Sequence, residues 1–269
     1  ISADRINDFK RSIRTVASDM SQDFYKAIKT ASLRKDYIKK YGHLRPSSYD
    51  ILSPNYANRA NLFEGSPKEN THEWIDFQLT DSEEKALNLL LEEHNFEGID
   101  ANTLFKYCNK AIVGRENAKF IFTKHLSEIL ELCAQWGNLH GFTRDDVSML
   151  TIEDILHSLF APLTDFSEFY YKRQILKANT NFDIASSFKL SYLIRSVRDI
   201  HIVPMQRSDP NFIGDKRIEE DIVHLTPYMK SNPSLEGKII CIEGADPGYD
   251  WIFTRNIAGL ISHNAATRH

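Results

Sequence analysis

The chain has 269 residues, a net charge of −4, 42% hydrophobic and 26% charged residues. That is ordinary for a globular protein of one large or two modest domains, and it speaks against an overall electrostatic grip on nucleic acid or anionic membrane. No apolar run approaches the roughly 18 residues of a membrane span.

Taken in chain order, Ile1-Ser2-Ala3 is neither a start methionine nor a signal peptide, so the chain is expected to begin inside a longer protein. Ile6, Phe9, Ile13, Val16, Met20, Phe24 and Ile28 recur at three- or four-residue spacing and draw one apolar helical stripe. Ser32 is placed to cap a second helix carrying Leu33, Tyr37 and Ile38, which ends near Gly42. Residues 41–61 break the pattern with prolines, serines, asparagines and tyrosines, and read as an ordered loop of a length that is often functional.

Thr80-x-x-Glu83 is a capping box ahead of Ala86, Leu87 and Leu89 to Leu91. Asp100 is expected to cap a short helix through Leu104 and Tyr107, and a long helix is predicted over 115–136. Thr143-x-x-Asp146 and Thr151-x-x-Asp154 mark two further starts, 170–178 continues helical, and 182–197 is the last predicted helix. Beyond Arg198 the texture changes. Residues 200–204, 222–225, 238–242, 251–254 and 257–261 read as strands, and Asp246-Pro247-Gly248-Tyr249 as a turn. The expectation is a mainly α-helical domain over 1–200 followed by a β-rich piece over 201–269. Cys108, Cys133 and Cys241 have no metal-ligand spacing and are expected as reduced thiols in a cytoplasmic protein.

Few residues carry chemistry by themselves. A phosphoryl-carrying histidine needs exposure at a tip, a free ring nitrogen and nearby donors. Ser262-His263 sets a hydroxyl next to an imidazole in sequence, a pattern it shares with ordinary surface histidines. In the 41–61 loop, Arg45 could clamp a carboxylate or phosphate while His43 moves a proton; the alternative is that Arg45, Tyr49 and Asp50 tie the loop down. Asp246 and Asp250 flank a Pro-Gly turn, as turn formers or as acids facing a site. Arg255 is placed either to meet phosphate near His263 or to be a solvated arginine. Glu92, Glu93 and His94 are consecutive and do not share a helix face, and His125 lies among apolar helix positions. No phosphate-binding glycine loop appears, and no metal or cofactor site is expected on this chain.

Two stretches resemble a known family. Gly237 to Ile261, followed by Ser262-His263-Asn264-Ala265, resembles the phosphohistidine domain of the phosphoenolpyruvate-utilising family, with its G-K-I-V strand, D-P turn, A-G-(L/I)-(I/V) strand and S-H-x-A motif. Tyr41-Gly42-His43-Leu44-Arg45-Pro46-Ser47-Ser48-Tyr49-Asp50-Ile51 is similar to the Y-G-H-x-R-P-x-x-Y-D-I element of the helical linker in bacterial members, nearest to the L-glutamine kinases of capsule phosphoramidate synthesis. Residues 199–207 fit the family's approach to its swivelling domain, with a hinge near 200–210.

The resemblance implies a helical linker or substrate domain, then a partial α/β phosphohistidine swivelling domain. It implies His263 as phosphoryl carrier and His43, Arg45 and Arg255 as substrate-binding residues. ATP and magnesium would sit on an ATP-grasp lobe outside this chain. The acceptor would be a small molecule, L-glutamine rather than pyruvate, since nothing in the chain resembles the barrel domain of pyruvate dikinase. Phosphoenolpyruvate synthase and antibiotic phosphotransferase are the other enzymes implied; neither nucleic acid nor membrane is an expected partner. The chain also departs from the pattern. The family's glycine-rich loop between the last strand and the Ser-His pair is missing, and Arg268 only roughly matches the arginine that follows the histidine. The competing reading is a non-catalytic helical scaffold with a β-rich docking tail.

Overall fold

The computed structural model describes residues 2–60, 62–64, 76–160, 165–188, 190, 194–201, 212 and 216–264. It is mainly helical, with a small parallel sheet near the C-terminus. The helices are α1 (Ala3–Ser12), α2 (Val16–Lys29), α3 (Ala31–Tyr41), α4 (Asp81–Glu93), α5 (Ala101–Leu139), α6 (Arg144–Ser148), α7 (Ile152–Phe160), α8 (Asp165–Ser186) and α9 (Arg198–His201). Two 3-10 helices, η1 (Tyr56–Asn58) and η2 (Pro247–Thr254), and three strands, β1 (Ile222–Leu225), β2 (Ile239–Gly244) and β3 (Gly259–Asn264), complete the described elements.

Local chemistry explains most boundaries. The single N-terminal stripe is split because Ile13 leaves the helix in an extended conformation and Thr15 starts α2 with a reciprocal box to Ser18. Thr30, not Ser32, caps α3 by accepting from the Leu33 N–H. Thr80, Thr143 and Thr151 cap α4, α6 and α7. Asp100 accepts from the Thr103 N–H, but the helix it starts runs on to Leu139; no proline interrupts it, and neither Gly114 nor Gly137 breaks it.

Three predicted spans differ. Residues 251–254 are in η2 rather than a strand: the Asp246 carboxylate accepts from the Gly248 N–H, Pro247 presets the first turn, and the Thr254 hydroxyl donates to the Trp251 carbonyl. Ile200 and His201 belong to α9, while 202–204 and most of the proposed hinge lie outside the described residues. The helix expected over 182–197 ends at Ser186.

The sheet has the order β1-β2-β3, and both neighbouring pairs are parallel. All three strands therefore end at one edge, and each connection must cross back over the sheet. Residues 226–238 make the first connection; η2 lies within the second.

The chain forms two compact units. The first comprises Ile1–Tyr49, Ser53–Glu128 and Glu220–Ala265; the second comprises Asp50–Leu52, Ile129–Glu219 and Ala266–His269. In the first unit Met20, Phe24, Tyr37 and Tyr41 of α2 and α3 share one core with Ile240 and Ile242 of β2 and with Tyr249, Trp251 and Ile252 of η2. A three-stranded sheet must cover its apolar face, and here the N-terminal helices do so. The second unit has its own core of Ile51, Ala134, Phe142, Val147, Tyr171 and Ile175. Arg144 ties it together, donating to the Ile51 carbonyl at 2.8 Å and pairing with Glu131. No helix among the described residues is long and apolar enough to cross a membrane.

Candidate functional site

The two stretches that carry the family resemblance meet in the first unit. The 41–60 loop leaves α3 at Gly42 and turns at Ser47, whose φ of 53° is left-handed. Beyond the turn, the Ser48 hydroxyl donates to Asp246 at 3.2 Å, and the Tyr56 hydroxyl donates to the Gly248 carbonyl at 3.0 Å. Gly248 lies so close to Arg45 and Pro46 that a Cβ there would overlap their backbone. Asp246 is thus the turn former that the Asp-Pro-Gly signal predicts, and it also holds the loop.

Arg45 is 2% exposed. Its Nη1 donates to the Ser53 carbonyl at 3.1 Å and its Nη2 to the Ser127 hydroxyl at 2.8 Å. Those bonds tie the loop down. Arg255 is 6% exposed, donates to the Leu62 carbonyl at 2.8 Å and lies over the Phe24 ring. Burial lowers its pKa. It is a core residue, not the solvated arginine that its sequence position allowed. A third arginine, Arg59, donates to Asn232 and to the Pro227 carbonyl.

His43 is half-buried with its ring edge on Phe120, centroids 4.7 Å apart. Burial, helped by the charge of Lys124, brings its pKa down to about 4, so its imidazole is neutral near pH 7 and accepts protons poorly. Arg45 is close enough to add to that depression.

His263 is exposed on β3. The register pairs Ile242 with Ser262 and Gly244 with Asn264, which sets His263 level with the exposed Glu243. The Ser-His pair therefore lies within the strand and not on a loop beyond it. Consecutive strand residues point to opposite faces. Ser262 is half-buried on one face while His263 faces solvent on the other, so the hydroxyl does not flank the imidazole as the dipeptide suggested. Ala265 and Arg268 lie outside the described residues.

The sequence reading left Asp250 undecided and overlooked its neighbours. Asp250 lines a cavity of about 40 Å3 together with Val16, Met20, Leu44, Phe120, Thr123, Glu116 and Lys119. Burial pushes its pKa up to about 7, against the pull of Lys119. The signal in the sequence is an aspartate between Tyr249 and Trp251, where every neighbour is apolar or aromatic. A second hollow, a groove of about 660 Å3, is floored by Phe9, Phe77 and Phe105 and edged by Lys106 and Lys110. Among the described residues no three His, Cys, Asp or Glu side chains gather as a metal site. No protein-family model matches the chain, and comparison with curated proteins and with solved structures finds no match.

Proposed function

We propose that the chain is part of an ATP-dependent phosphotransferase of the phosphoenolpyruvate-utilising kind, with His263 as phosphoryl carrier and the sheet as part of a swivelling domain. The observation that carries the reading is the place of His263: exposed, near the carboxyl end of a parallel strand, at the sheet edge where ligands of open α/β folds collect. The meeting of the 41–60 loop with the Asp-Pro-Gly turn adds support, because the two resembling stretches form one local structure.

In this reading a ring nitrogen of His263 attacks the β-phosphorus of ATP. An N–P bond forms, the α–β P–O bond breaks and AMP leaves with a pyrophosphoryl group on the histidine; water then cleaves the β–γ P–O bond, which releases phosphate and leaves the β-phosphoryl group on the ring nitrogen. The acceptor nitrogen then attacks that phosphorus, the histidine N–P bond breaks, and the acceptor loses a proton. Splitting the transfer makes two easier steps of one hard one. ATP and magnesium belong to an ATP-grasp lobe outside these residues. L-glutamine is the favoured acceptor, and a cytoplasmic location follows from that chemistry. Substrate contact by His43 fits a neutral imidazole; Arg45 and Arg255 are buried, so contact by either would require the residues that cover it to open.

One observation favours the competing scaffold reading: the described hydrogen bonds of both arginines are structural. The experiment is labelling of the full gene product with ATP labelled at the β or the γ phosphate. The expected result is acid-labile β label on the protein, lost in His263→Ala and kept in His125→Ala. Label that persists without His263 removes it as carrier, and a full gene product that takes up no label leaves the scaffold.

A further inference from the structure

α5 turns a stripe of large apolar side chains outward. At 3.6 residues per turn Thr123, Ser127, Ala134 and Gly137 share one side of this helix, and all four are buried. On the opposite side Tyr107, Ile121, Phe122, Ile129, Leu132 and Leu139 are 49–84% exposed. From Tyr107 to Leu139 this outer stripe advances in steps of three and four residues, and His125 is its one strongly polar member. A repeat of that kind along a helix is the seam by which it packs on a second helix, each side chain entering a hole between residues opposite.

The stripe changes size along its length. Its first half holds Ala111, Gly114 and Ala118; its second half holds Ile129, Leu132, Leu139 and the half-buried Trp136. Gly114 has nothing within 4 Å of the place that a Cβ would take, so the fold of the chain itself does not call for glycine there, and glycine weakens a helix interior. Small residues opposite large ones let facing helices interdigitate. A two-fold axis at His125 achieves this with the sequence of α5 alone: it sets Ala118 opposite Leu132, Gly114 opposite Trp136 and Ala111 opposite Leu139.

We propose that the outer face of α5 is a homodimer interface, in which the α5 helices of two copies of the chain pack antiparallel about a two-fold axis at His125. Such an interface uses one patch twice, so the patch must complement itself, and the size gradient does so. The rim agrees. Among the described residues Lys124 makes no ion pair, and Glu128 has only the exposed His125, at 3.4 Å. The same axis brings Lys124 of each copy within a helical turn of Glu128 of the partner subunit, on one rim of the seam. The area is sufficient: the six large side chains alone remove roughly 1,000 Å2 from water in a pair, and the small and rim residues bring the total into the range of specific interfaces, about 1,200–2,000 Å2. The interface stands apart from His263 and does not depend on phosphoryl transfer.

The test is sedimentation equilibrium of the 269-residue chain. A mass that rises with concentration from 31.0 kDa towards twice that value is expected. Leu132→Lys puts a charge on the seam and should weaken association at least about tenfold. Phe169→Lys, at a similarly exposed apolar position on α8, should leave it unchanged. Lys124→Glu and Glu128→Lys should each weaken association several-fold, and the double variant should restore it, because the exchanged charges meet again across the axis. Circular dichroism checks that each variant folds; if Leu132→Lys does not, the charge exchange decides alone. A monomer at every concentration, an equal loss in Phe169→Lys, or a double variant no better than the single ones overturns the proposal.

Discussion

Gly248 has no room for a side chain, because the backbone of Arg45 and Pro46 lies against it. Gly248→Ala must push the 41–60 loop off η2, and a loss of about 3 kcal/mol or more is expected in urea denaturation. Arg45→Met leaves the Ser53 carbonyl and the Ser127 hydroxyl without their donor and should cost roughly 2–4 kcal/mol in the same assay. Asp250 gives a pH signature. Its folded pKa of about 7 lies above the ordinary 3.8, so the folded state holds the proton more tightly than the unfolded chain. Stability is then fully present below about pH 4, falls as pH rises towards 7, and levels off above it. Asp250→Asn removes that slope and should stabilise the protein at pH 8 by about 2–4 kcal/mol relative to wild type, read from urea midpoints at pH 5 and pH 8. The tying role of Arg45 was one of two readings open in the sequence. The raised pKa of Asp250 was not legible, because it comes chiefly from burial against side chains such as Phe120 and Met20, which lie more than a hundred positions away in the chain.

Caps were the most legible feature at the scale of elements. The Thr80, Thr143 and Thr151 boxes depend on residues three apart, and all three close as their spacing predicts. The break between α1 and α2 was harder, since Thr15-x-x-Ser18 interrupts an apolar rhythm that continues across it. Thr15→Ala should cost about 1 kcal/mol by thermal denaturation, the usual worth of a cap. η2 shows where short-range reading fails. Trp251, Ile252 and Phe253 carry strand-forming side chains, yet the turn chemistry of Asp246 and Pro247 coils them, and burial of Trp251 and Ile252 holds the coil. The Ser-His pair teaches the same lesson: inside a strand, residues adjacent in sequence are on opposite sides of the sheet.

For the whole molecule, the change from helix to strand near residue 200 was legible as a change of composition, but the packing was not. Which helices would cover the sheet depends on contacts such as Arg255 to Leu62, 193 positions apart. A consequence can be measured. A fragment of residues 1–200 lacks Ile240, Ile242, Trp251 and Ile252, so the apolar faces of α2 and α3 lose their cover. Its heteronuclear NMR spectrum should show poor dispersion for residues 16–41 despite helical circular dichroism, whereas the 269-residue chain gives dispersed signals there.

That shared core also sets a timetable for synthesis. α2 and α3 leave the ribosome early, but their partners in β2 and η2 follow only about 200 residues later, ten seconds or more at ordinary elongation rates. The second core draws mainly on residues 130–175 and is complete well before then. The first unit to begin is thus the last to close, and the exposed faces of Met20, Phe24 and Tyr37 are what a nascent-chain chaperone would meet in the interval.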